Sequence, residues 1–172
     1  MKSNQIAHYS DTMAKGDIAE EQMQKVLSFF GFEYDNRTKD KKYWNLGYDF
    51  FTTNKGTTFE VKRSFNVQRK TIVIEEDHNI DPELGILKKG WFYTSKADKL
   101  CFMDTNKNKN KIALIFNFDQ EFKQYYDNIK SRFKLRKNKP TEWHGFIRNV
   151  STYRIIPISE IPNNFFVIVG FG

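Results

Sequence analysis

The sequence predicts one mixed α/β domain spanning 1–172. Three observations carry this reading. Apolar residues recur at helical spacing over two separate stretches, 17–31 and 120–133. A pair of aromatic and β-branched runs, Tyr48–Thr53 and Thr57–Arg63, flanks a turn at Asn54-Lys55-Gly56 and reads as a hairpin. Further short strand-like runs follow with no repeat, low-complexity linker or break in composition between them.

The chain carries 17 Phe, 8 Tyr and 3 Trp, enough aromatic bulk to fill a core from few side chains. Its net charge of +7 and pI of about 9.3 point to a polyanionic partner, nucleic acid or an anionic surface, unless they only reflect a Lys- and Asn-rich proteome. The lone cysteine, Cys101, excludes an intrachain disulfide and a cysteine metal cluster, and its apolar neighbours make it a buried small hydrophobe. His8, His78 and His144 lack zinc-site spacing. The start MKSNQIAHYSD has no apolar segment of the kind a signal peptide needs, and no stretch approaches the ~18 apolar residues of a membrane span. The expected location is the cytoplasm, with no membrane partner.

In chain order, Met1–Lys15 is polar and reads as an arm or short helix. Ile18, Met23, Val26, Leu27 and Phe30 then form one helical stripe, with Asp17 at the start and Gly31 at the end. Phe32-Glu33-Tyr34 is a short strand or lead-in, and Asn36–Lys42 a basic loop. After the hairpin, Ser64–Lys70 is a polar connection. Thr71–Ile74 is a strand ending in Glu75, Glu76 and Asp77, and Asp81–Gly85 is turn-like. Gly90-Trp91-Phe92 leads to a short helix start at Thr94–Asp98, with Ser95 as its cap. Leu100–Met103 and Lys111–Phe118 are strands joined by the turn Thr105–Asn110. Gln120–Phe133 is a helix, and Thr152–Pro157 and Phe165–Val169 are closing strands.

Chemistry concentrates in the hairpin. Alternation along the second strand puts Thr58, Glu60 and Lys62 on one face, and Phe59, Val61 and Arg63 on the other. Whether Asp49 joins Glu60 depends on turn parity: an even loop pairs them, an odd loop does not unless a bulge at Gly56 restores the register. Two carboxylates on adjacent strands suit Mg²⁺, which prefers carboxylate oxygen and water. A lysine beside them can stabilise negative charge at a phosphoryl group or, with a lowered pKa, act as a base. A hairpin face bearing plain ion pairs would have the same residues. The context favours chemistry: the acids lie in apolar runs, a helix with an early Glu precedes them, and a strand ending in acid follows.

The Gly16-Asp17-Ile18-Ala19-Glu20 segment, Asp49 in GYDFF, Glu60-Val61-Lys62 in FEVKR, and TIVIEE followed by GWFYTSKADKLCFMD together resemble the PD-(D/E)XK nuclease superfamily over roughly 16–118. Tyr48 stands where that signature has proline. The resemblance implies a restriction endonuclease-like αβββαβ core, a central mixed sheet flanked by helices, with Lys96-Ala97-Asp98 opening the second core helix. It implies Asp49, Glu60 and Glu20 as metal ligands, Glu75 as a lesser candidate, and Lys62 positioning or activating water. The remainder, 119–172, would add a basic helix and C-terminal strands.

The function expected is Mg²⁺-dependent hydrolysis of DNA phosphodiesters, with Mn²⁺ able to substitute, by a resolvase-like or restriction-like enzyme of phage or mobile-element type. Between Thr105 and Pro140 ten basic residues stand against three acidic ones. Arg63, Arg69, Lys70, Lys130, Arg132, Lys134, Arg136 and Lys137 are therefore the candidate phosphate contacts. Cutting two strands suggests a homodimer. The alternatives are a catalytically inactive nucleic-acid-binding protein on the same fold and a structural or inhibitory protein with no nucleic-acid partner.

Overall fold

A computed structural model describes residues 17–39, 47–63, 65–66, 68–81, 86–104, 111–138, 141–143, 146–148 and 150–171. Expectations for the N-terminal arm, His8, His144, the end of the 36–42 loop, most of the turn at 81–85 and the whole turn at 105–110 lie outside these residues.

The fold is a mixed α/β arrangement with a central sheet flanked by helices. The first helix, α1 (17–29), buries Ala19, Met23, Val26 and Leu27, one stripe at helical spacing. Ile18 and Phe30, expected on that stripe, are exposed instead, because the buried face is centred on Ala19 and Met23. Gly31 stops the helix at φ +69°.

Three antiparallel strands follow: β1 (Tyr34–Asn36), β2 (Phe50–Thr52) and β3 (Thr58–Lys62). After β3 the chain leaves the sheet to form β4 (Phe65–Asn66), β5 (Thr71–Asp81) and β6 (Ile86–Lys89). It then makes one helical turn, α2 (Trp91–Thr94), and returns as β7 (Lys99–Met103), parallel to β3. β8 (Lys111–Asn117) and, at the far edge, β13 (Phe166–Phe171) complete the order β1-β2-β3-β7-β8-β13.

A second sheet, not anticipated from the sequence, has the order β4-β5-β12-β9, with β6 also paired to β5. Its remaining strands are β9 (Arg136–Lys137) and β12 (Val150–Pro157). β10 (Thr141–Trp143) and β11 (Phe146–Arg148) form a separate hairpin. The acids Glu75, Glu76 and Asp77 do not end their strand, since pairing with β12 and β6 carries β5 on to Asp81. The helix expected at Thr94–Asp98 is also misplaced. The helical turn precedes that segment, and Ser95 ends it in an extended conformation.

The central sheet has an apolar layer on each face. One holds α1 against Phe50, Phe59, Val61, Cys101, Met103 and Ala113; Cys101 is fully buried, as its sequence context implies. The other packs α3 (Gln120–Ile129) and the second sheet against Leu100, Phe102, Leu114 and Phe116 through a chain of aromatic contacts that includes Phe92, Phe122 and Phe165. Asp119 caps α3, its carboxylate accepting the N–H of Phe122 at 2.9 Å. Among the described residues no helix is long and apolar enough to cross a membrane.

Candidate functional site

The hairpin settles the question of turn parity. Thr52 N–H donates to the Thr57 carbonyl at 2.9 Å, so the loop is Thr53–Gly56, an even count, and the paired register runs to Phe50 opposite Phe59, one residue short of Asp49 and Glu60. Gly56 closes the loop at φ +68°, a region that favours glycine. A second glycine sets the approach to the site. Gly47 lies at φ +63°, and a Cβ there would sit 2.8 Å from Cα of Ser95. The Ser95 hydroxyl donates to the Gly47 carbonyl at 2.5 Å. The approach to β2 is thereby pinned against the segment that leads into β7.

At Asp49 the ladder breaks. Its N–H donates to the Phe59 carbonyl at 2.7 Å, and its Oδ2 accepts the N–H of Val61 at 2.7 Å. The carboxylate takes a backbone donor that a regular ladder would give to a carbonyl, and this bond fixes its orientation. Glu60 is only 5% exposed and is in direct contact with the Lys62 ammonium. Lys62 also lies 5.2 Å from the centre of the Trp91 ring.

Electrostatics follow from this burial. Desolvation pushes Glu60 up to about 7, with the Asp49 charge adding to it and Lys62 opposing it. Desolvation also raises Asp49, against Lys62 and the Val61 N–H. Burial alone would lower Lys62, but the charges of Glu60, Asp49 and Glu75 outweigh it and hold the ammonium above its usual range. Lys62 is therefore a charged group here, and the lowered pKa that a base would need is absent.

Glu20, half-buried on α1, is raised first by desolvation and also by the Asp49 charge, against a hydrogen bond with Thr38. The helix thus brings Glu20 within electrostatic reach of the site. Glu75 faces it from β5, where its charge acts on Lys62. Among the described residues no three His, Cys, Asp or Glu side chains gather closely enough to hold a metal. The donors that could serve a hard cation are Asp49 and Glu60, with Glu20 and Glu75 farther out. Two carboxylates that burial drives toward their neutral forms gain more from a cation than solvated ones would, so their chemistry fits one.

An open cleft of about 270 Å³ adjoins Lys62 and runs between the end of β3 and the paired strands β5 and β12. Arg63, Trp91, Glu75 and Tyr153 are among its lining residues. A one-residue register shift lies in its wall: Thr152 pairs with Asp77 but Tyr153 pairs with Glu75, leaving Glu76 unmatched. The shift lets Glu75 and His78 meet the same stretch of β12. His78 Nδ1 lies 2.9 Å from Ser151 Oγ and 4.0 Å from Glu75. Glu76 turns into the core, where its Oε1 accepts from Tyr126 OH and Arg154 Nε, each at 2.7 Å. No local sequence signal marks Trp91, Ser151 or Tyr153 as neighbours of Lys62.

The expected phosphate contacts divide into two groups. Lys130 is bound to Asp127 at 2.6 Å and to Tyr93 OH at 3.0 Å, and Arg132 is paired with Glu160. Lys134, Arg136 and Lys137 are exposed, the last two on β9 beside β12. Arg63 is on the cleft wall, whereas Arg69 and Lys70 are exposed in the turn before β5.

Comparison with protein-family models, curated proteins and solved structures found no match to this chain.

Proposed function

We propose that the protein is a metal-dependent nuclease of the PD-(D/E)XK type, hydrolysing DNA phosphodiesters. The observation that carries this is the convergence of Asp49 and Lys62, both part-buried, on the buried Glu60 beside an open cleft. The order of elements is compatible with it: a helix, three antiparallel strands, a crossover and a strand parallel to the third follow one another, although the crossover carries a small sheet and one helical turn where an αβββαβ core has a full helix.

Asp49 and Glu60 would hold Mg²⁺, or Mn²⁺ in its place, with Glu20 and Glu75 in reach through water. Such an ion supplies Lewis acidity and lowers the pKa of a bound water. The Val61 N–H orients the Asp49 carboxylate. Lys62, charged and held by Glu60, stabilises negative charge growing on the phosphoryl oxygens. Arg63 and Arg136 supply positive charge along the path of the strand.

The test is cleavage of labelled duplex, single strand, flap and four-way junction with Mg²⁺, Mn²⁺ or EDTA, using the wild type, Asp49→Ala and Lys62→Ala. The expected result is metal-dependent cutting that each variant lowers by about 10²-fold or more. A second reading, a DNA-binding protein without catalysis, draws on the lack of a three-member ligand cluster among the described residues. It expects binding to the panel and no cutting with either metal, an outcome that would end the nuclease reading.

A further inference from the structure

The cleft beside Lys62 differs in kind from a groove built only to follow a phosphate backbone. Lys62 and Arg63 line one part of it with positive charge, while Trp91 and Tyr153 supply aromatic surface. Ser151 adds polar surface, and Glu75 a negative charge. Its volume of about 270 Å³ falls just short of the roughly 300 Å³ at which ligand-sized pockets begin, room for part of one nucleotide in an open cleft and far too small for a double helix. Tyr153 is placed here by the same register shift that pairs it with Glu75.

We propose that this cleft takes one unpaired nucleotide of a DNA strand, the base lying against Trp91 and Tyr153 and its phosphate toward Lys62 and Arg63. The inference rests on the nuclease reading and names its substrate class: single strands, flaps or frayed ends rather than intact duplex. Glu75 sets the polarity, because a phosphate is repelled from its carboxylate and a base is not. Aromatic faces accept any base, so the cleft selects for an unpaired state more than for sequence. Arg136 sits on β9 directly opposite Tyr153 in the strand register, so Arg136 extends the positive charge past the cleft for a neighbouring phosphate, while Lys137, one residue on, faces the other side of that sheet.

The experiment is fluorescence anisotropy in EDTA at fixed ionic strength, with labelled oligo(dT), a blunt duplex of mixed sequence, and unlabelled dTMP as competitor. Proteins are the wild type, Trp91→Ala, Trp91→Phe and Tyr153→Ala. Because Trp91 also packs on Phe102, Tyr153→Ala supplies a second variant at a partly exposed position. The proposal expects tighter binding to oligo(dT) than to duplex. Trp91→Ala and Tyr153→Ala each weaken oligo(dT) about tenfold with duplex affinity unchanged, and Trp91→Phe restores most of the loss. Equal losses on strand and duplex, no loss on the strand from Tyr153→Ala, or dTMP binding as tightly as the strand would overturn it. The two readings separate cleanly. Metal-dependent cutting with aromatic variants that bind like the wild type removes the cleft proposal alone, whereas strand-selective binding without any cutting removes the nuclease reading and leaves the cleft.

Discussion

Asp49 brackets Glu60 from across the hairpin, giving its N–H to the Phe59 carbonyl and taking the N–H of Val61 on its carboxylate, each at 2.7 Å. This arrangement depends on the four-residue loop Thr53–Gly56. Deleting Lys55 makes the loop odd and turns Asp49 away from Glu60. Metal-dependent cleavage should fall by about 10²-fold or more. Deleting Asn54 and Lys55 together keeps the parity and should retain most of the activity. Cleavage assays on both deletions, with circular dichroism to confirm folding, check this.

Glu60 makes stability depend on pH in a known direction. Its folded pKa of about 7 lies above the ordinary value of 4.5, so the folded state holds the proton more tightly than the unfolded chain. The contribution of this group to stability is largest below about pH 4.5 and is lost as pH rises through about 7, by at most roughly 3 kcal/mol. Thermal melts in EDTA should show Tm dropping between pH 5 and pH 8 more in the wild type than in Glu60→Gln. Saturating Mg²⁺ should flatten the wild-type slope, since a cation replaces the proton. A wild-type Tm that rises over this range would contradict the assignment.

The two groups of cations should behave differently. Arg136→Ala removes an exposed charge on the cleft side of β9, so DNA affinity should drop on every sequence and the slope of log K against log salt should shrink by about 1. Lys130→Ala and Arg132→Ala break pairs with Asp127 and Glu160 instead, and should change the salt slope little. Titrations at several salt concentrations separate the outcomes.

Glu76, Arg154 and Tyr126 form a buried polar cluster between β5, β12 and α3. Glu76→Ala leaves the guanidinium with no carboxylate and should cost about 3–5 kcal/mol in urea unfolding. Glu76→Leu combined with Arg154→Met should recover much of that, because no charge is then left behind.

Much of this molecule is legible from local pattern. The period-3.6 stripes locate α1 and α3, and alternation locates β3, β7 and β8. Glu60 and Lys62 share a side because a strand has period two, which the sequence alone establishes. The elements that local pattern misplaces depend on distant partners. β5 extends past the acids Glu75, Glu76 and Asp77 because β12, more than 70 residues later, supplies its hydrogen bonds. Likewise Ser95 reads as a helix cap by residue type, yet its hydroxyl is drawn to Gly47, far back in the chain. The aromatic half of the cleft is invisible in the sequence for the same reason: Trp91 and Tyr153 meet only once two sheets have assembled.

β5 and β12 also impose an order on synthesis. Asp49, Glu60 and Lys62 leave the ribosome early, on or beside the first three strands. The wall that carries Ser151 and Tyr153 comes from β12, made well after β5, and can pair only with a strand already made. A nascent or prematurely terminated chain would thus hold the acids and the lysine but have no cleft beside them. The groups proposed to act on DNA remain without that wall until β12 has been made.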